Sequence, residues 1–81
     1  MAYVTHMTQT LNEEIASTVR DTLHETGVTI ANLAAATGIS ERTLTRRLRG
    51  NSDWTTSELA RIAQRLGVSV TSLMGPTHRS A

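Results

Sequence analysis

The sequence has no cysteine, no lysine and no phenylalanine, and only one Trp, one Tyr and one Pro. Without cysteine there are no disulfides, thiolate metal sites or cysteine nucleophiles, which fits a reducing compartment. With so few aromatics, the core has to be built from Leu, Ile, Val, Ala and Met. No apolar run approaches the ~20 residues of a membrane span. The opening "MAYVTHMTQT" lacks the basic region and hydrophobic block of a signal peptide. The expectation is a cytoplasmic protein with no membrane partner. Its 81 residues suffice for one small domain, which buries only about two-thirds of its unfolded surface.

What is present is unevenly distributed. The formal net charge is +1, too small to point to nucleic acid by itself. Residues 1–38 carry Arg20 against Glu13, Glu14, Asp21 and Glu25, while residues 39–81 carry seven arginines against Glu41, Asp53 and Glu58. The chain is therefore polarised. Arg42, Arg46, Arg47 and Arg49 fall within eight positions of its basic half.

The apolar pattern is helical throughout. Thr10 and Glu13 fit a capping box at a helix start, and Leu11, Ile15, Val19 and Leu23 then recur every fourth residue. This predicts a first helix over about 11–26, stopped by Gly27. Thr29 caps a short second helix with Ile30, Leu33 and Ala34 inward, closed by Gly38. Ser40 caps a third helix from Glu41 to Arg49, with Leu44 and Leu48 inward and Gly50 at its end. Thr55 and Glu58 fit another capping box, opening a fourth helix with Leu59, Ile62, Ala63 and Leu66 on one face. A short fifth helix is expected around 70–74, before Gly75-Pro76. The expected fold class is all-α, five short helices on one aliphatic core. A flexible arm is expected over 1–9, the folded domain over 10–75 and a flexible tail over 76–81.

The second and third helices are joined only by Gly38-Ile39-Ser40, which forces a steep crossing. Ala34 permits close approach, Gly38 suits a left-handed backbone, Ile39 fills the angle and Ser40 caps the next helix. That is the spacing of a helix-turn-helix. Its third helix leaves Glu41, Arg42, Thr45, Arg46 and Arg49 facing outward.

At these residues, "LAAATGISERTLTRRLRG" followed by "LARIAQRLGVSVTSLM", the chain resembles the lambda-repressor-like (Cro/C1, or XRE) DNA-binding domain. The likeness covers residues 11–74 and is closest to small phage-type and actinobacterial versions. It implies a five-helix domain that sets its third helix in the major groove. Carried over by position, the base-reading residues are Glu41, Arg42, Thr45 and Arg46. Chemistry agrees: Arg donates twice to guanine O6 and N7, Glu accepts from cytosine N4, and the Thr methyl meets a thymine methyl. Arg49, one turn on, suits phosphate. Thr29 and Ser40, at the starts of the second and third helices, suit phosphates too. The loop with Asn51, Ser52 and the Thr55/Thr56 cap lies where the family grips the backbone. Two departures stand out. Ile30 replaces the glutamine with which many members open the second helix and brace the third. Arg47 stands where many have an apolar residue, and packing or a salt bridge is expected of it rather than DNA contact.

Other residues have plainer readings. Trp54 is expected to anchor its loop by packing. Arg61 and Arg65 read as a solvated face or partners of Glu58. His6, His24 and His78 are scattered and lack carboxylate partners, so no metal is expected. Glu13 and Glu14 read as capping and helix-dipole charges. No nucleophile arrangement and no glycine-rich phosphate loop is visible, so no enzyme activity, cofactor or small-molecule substrate is expected. The sequence points to a regulator bound to a double-stranded DNA operator. It would be a homodimer across half-sites one helical turn apart on DNA and a monomer in isolation, since the fifth helix offers only Val70, Leu73 and Met74 for pairing. The competing reading is a protein-interaction module, antitoxin-like or adaptor-like, which would not require an exposed basic face on the third helix.

Overall fold

A computed structural model describes residues 2–50 and 52–74, with side chains from Leu11 onward. Among the described residues there are five helices and no strand: α1 (Ala2–Thr26), α2 (Ile30–Thr37), α3 (Glu41–Leu48), α4 (Thr56–Leu66) and α5 (Val70–Leu73). The tail over 76–81 lies outside the described residues.

Helix α1 starts at Ala2, not at Leu11, so Thr10 sits inside a helix and cannot be its cap. The reason is in the sequence. The fourfold spacing of Leu11, Ile15, Val19 and Leu23 extends backward to Met7 and Tyr3, and no glycine or proline interrupts it. A local capping signal is weaker than an unbroken helical register. The other boundaries fall within a residue of expectation. Arg49 and Met74 are the C-caps of α3 and α5 rather than members of them.

The caps explain why such short helices hold. Thr29, Ser40, Thr55 and Ser69 have extended backbones, and each side chain accepts from the amide three residues on. These bonds satisfy amides that have no partner within a helix. Thr55 and Glu58 form a complete capping box. Helix α2 ends on Gly38 at φ 76°, a left-handed conformation that side chains resist.

Val19, Leu33, Leu44, Ile62 and Leu73 are fully buried. Ile15, Leu23, Ile39, Leu48, Leu59, Ala63 and Leu66 complete the core around them, and Leu11, Ile30, Ala34 and Trp54 pack on its edge. Each large aliphatic side chain so buried contributes roughly 1.5–3 kcal/mol. Helix α1 lies against α3, α4 and α5, while α2 packs on α3 and α4. Leu73 is enclosed, so α5 cannot offer it to a second chain. No helix among the described residues is long and apolar enough to cross a membrane.

Candidate nucleic-acid interface

The joint between α2 and α3 is tighter than the sequence indicated. Thr37 is buried; its hydroxyl donates to the Leu33 carbonyl at 2.7 Å and accepts from the Ile39 amide at 3.3 Å. It therefore bridges the last turn of α2 and the connector. Ile39 is 8% exposed and fills the angle between the helices, as expected. Ser40 then opens α3 by accepting from the Thr43 amide at 3.1 Å.

From that start, α3 divides into two faces. Leu44 and Leu48, four residues apart, enter the core. Glu41, Arg42, Thr45, Arg46 and Arg49 are all exposed and together line one shallow surface depression. All four residues expected to read bases thus share one surface with Arg49. Three guanidinium groups against one carboxylate make it electropositive. Glu41 sits in the first turn of α3 and Arg46 and Arg47 in the last, the arrangement that suits the helix dipole.

The phosphate candidates are less uniform. Thr29 is exposed, and its oxygen accepts from the Asn32 amide at 3.1 Å, leaving its hydroxyl proton to donate. Ser40 is exposed, but its hydroxyl donates to Thr43 Oγ1 at 3.0 Å, so a phosphate contact requires that bond to switch. Ser52 Oγ is buried and has no hydrogen-bond partner among the described residues, so it reaches a phosphate only if its loop opens. Asn51 lies outside the described residues. Trp54 packs on the core, as expected, and its buried indole N–H has no partner among the described residues.

Three arginines serve the scaffold instead. Arg47 forms a two-bond fork with Glu58: Nε to Oε1 and Nη2 to Oε2, both 3.1 Å. Glu58 Oε1 also accepts from the Thr55 amide at 2.9 Å. Burial alone would raise the Glu58 carboxyl. The Arg47 hydrogen bonds, the Thr55 amide and the Arg47 charge together outweigh it and hold that carboxyl below its ordinary range. Arg20 of α1 donates to the Leu48 carbonyl at the end of α3. Arg61 of α4 donates to the Thr37 carbonyl at the end of α2, at 3.4 Å. Glu58 thus pairs with Arg47 and not with Arg61 or Arg65, as the sequence reading had allowed. Nearby, Asn12 Nδ2 donates to Asp53 Oδ1 at 2.9 Å and ties α1 to the loop after α3.

The scaffold roles of Arg20, Thr37, Arg61 and Asn12 were not visible in the sequence, because most partners lie 24 to 41 residues away. Arg20 alone carried a signal. Positions 16, 17, 23 and 24 hold no acid, so it has no partner within its own helix.

Two short helices crossing at a left-handed glycine, the second with an exposed basic face, define a helix-turn-helix DNA-binding domain. A family model for the Cro/C1-type HTH DNA-binding domain matches residues 18–77, and the chain belongs to that family of DNA-binding regulators. No curated protein and no solved structure matches the chain.

Proposed function

We propose that this domain is a sequence-specific transcriptional repressor of the phage type, acting as a homodimer on a double-stranded operator. Helix α3 enters the major groove. Arg42 and Arg46 donate to guanines, Glu41 accepts from cytosine and Thr45 meets a thymine methyl. Arg49, the Thr29 and Ser40 helix starts and Asn51 hold phosphates, joined by Ser52 once its loop opens. Two copies occupy half-sites one helical turn apart, and occupancy excludes polymerase. Such a protein works in the bacterial cytoplasm or nucleoid, on chromosomal or phage DNA. The observation that carries the reading is the sorting of adjacent arginines: Arg46 and Arg49 open onto one surface with Glu41, Arg42 and Thr45, while Arg47 between them turns to Glu58.

Selection from a pool of random duplexes, read at two salt concentrations, tests it. One enriched sequence with two related halves is the expected result. Arg46→Ala then costs roughly 1–3 kcal/mol on that sequence and relaxes the preference at one base pair. No enrichment even at low salt favours the protein-interaction reading, and an unchanged affinity for Arg46→Ala shows the wrong helix face has been assigned.

A further inference from the structure

Helix α3 is eight residues long and buries only Leu44 and Leu48. These lie one turn apart, on one line along the helix. Two aliphatic anchors on a line fix how closely α3 approaches the core. They hold its rotation about its own axis weakly, because the helix can roll about that line. For a helix that reads bases, rotation decides which side chains face the groove.

Arg47 supplies the constraint that the leucines lack. It stands about 100° around the helix from Arg46 and Leu48, on the side toward α4. Both bonds of its fork to Glu58 are 3.1 Å, and a planar two-bond pair is specific in angle as well as distance. Glu58 cannot swing to follow a rolling α3. Its carboxylate also holds the Thr55 amide at 2.9 Å, and its own amide donates to Thr55 Oγ1 at 3.0 Å. The two side chains are only 16% and 15% exposed, so water competes little for them. At the same end of α3, Arg20 holds the Leu48 carbonyl from α1.

We infer that Arg47 and Glu58 are a positioning pair that sets the axial rotation of α3. An ion pair on the protein side of the helix thereby governs which base sequence is preferred. This rests on the DNA-reading role proposed above. Bulk electrostatics and positioning predict opposite outcomes for one substitution. Glu58→Gln raises the net charge by one, which alone tightens binding to any duplex. It keeps an acceptor for the Thr55 amide but removes the charge that holds the fork. If the pair positions α3, binding to the selected sequence weakens while binding to random duplex holds or strengthens.

The experiment is fluorescence anisotropy with the full chain, using the duplex selected above and a random duplex of equal length. Melting temperatures of every variant confirm the folded state. The ratio of specific to random affinity is expected to fall about fivefold or more in Glu58→Gln, the worth of one weakened bidentate base contact. Arg47→Lys keeps the net charge but loses the planar fork, so it must lower the ratio too, and it decides the matter if Glu58→Gln does not fold. An unchanged ratio in a folded variant overturns the positioning role. A wild-type protein that prefers no duplex overturns instead the DNA-reading proposal beneath it, and that is evident before any variant is made.

Discussion

Gly38 and Gly50 bracket α3, and exchanging each for alanine separates two reasons for a glycine. Both have positive φ, 76° and 87°. A side chain there costs roughly 1–2 kcal/mol for the left-handed backbone. At Gly38 nothing lies within 4 Å of the added Cβ, so that cost stands alone. At Gly50 the Cβ falls 3.2 Å from Glu13 Cγ and 3.4 Å from Glu13 Cα. The Cα distance is an ordinary contact, but the Cγ lies inside one, so the Glu13 side chain must give by a few tenths of an ångström. A shift this small adds about 1 kcal/mol, the low end of the cost of overpacking. Thermal unfolding followed by circular dichroism reads both, at about 4–8 °C per kcal/mol for a domain this small. Gly38→Ala should lower the midpoint by about 4–16 °C by that conversion, and Gly50→Ala should lower it further. Gly38→Asn should be milder than Gly38→Ala, because asparagine tolerates left-handed backbone. Equal losses at the two glycines would refute the close approach of α1 to the end of α3. A larger loss at Gly38 would refute the account of the turn, in which only backbone conformation demands glycine there.

Two further outcomes can be measured on the same protein. Arg49→Ala should weaken all duplexes alike and reduce the slope of log affinity against log salt by about 0.9, one phosphate contact; an unchanged slope in a titration over several salt concentrations would place Arg49 off the DNA. The Glu58 carboxyl is held below its ordinary value of 4.5 in the folded state, so its contribution to stability is full above that value and is lost as pH falls through the folded one. Melting curves from pH 6 to 3 should therefore show wild type and Glu58→Gln converging toward acid, and parallel curves would mean that the pair contributes nothing.

Much of the fold was legible because each helix carries its own punctuation. Thr29, Ser40 and Thr55 announce starts, while Gly27, Gly38 and Gly67 announce stops. The fourfold and threefold spacings of Leu, Ile and Val select the inner faces. These are local signals between residues three or four apart, and the helices obey them. At Thr10 a local start signal competes with a longer one, the register running back through Met7 and Tyr3, and the helix follows the longer. The outward face of α3 was legible for the same reason: Leu44 and Leu48 fix two positions, and geometry assigns the rest. What was not legible is pairing across the chain. Nothing near Arg20 names Leu48, and nothing near Arg61 names Thr37. Glu58 was recognised as a cap, but a second role for the same carboxylate leaves no mark in spacing. Ser52 shows the opposite limit. Its loop position suggested an available hydroxyl, and only packing decides that the hydroxyl is covered.

The scarcity of aromatics and the use of arginine between helices belong to one physical problem. Aliphatic side chains attract without direction, so a core of Leu, Ile, Val and Ala specifies that α2, α3 and α4 touch but weakly specifies their angles. A large flat ring wedged between helices would restrict the crossing, but among the described side chains the aromatic on this core is Trp54, and it sits at the edge. Directional bonds then have to set the angles, and they sit where a cation is most useful. The carbonyls ending a helix are unpaired and carry the negative end of its dipole. Arg61 meets that end of α2 and Arg20 meets that end of α3, each from a different helix. Arg47 adds the link from α3 to α4. Each guanidinium offers several donors on a long stem, so it can reach across an interface and bond there in a fixed plane. In this chain arginine therefore does two separable jobs. Arg20, Arg47 and Arg61 bond from one helix to another, and Arg42, Arg46 and Arg49 stand on the outward face. A lysine at position 47 would keep the charge and give up the planar fork, which is why net charge alone says so little about how this domain is built.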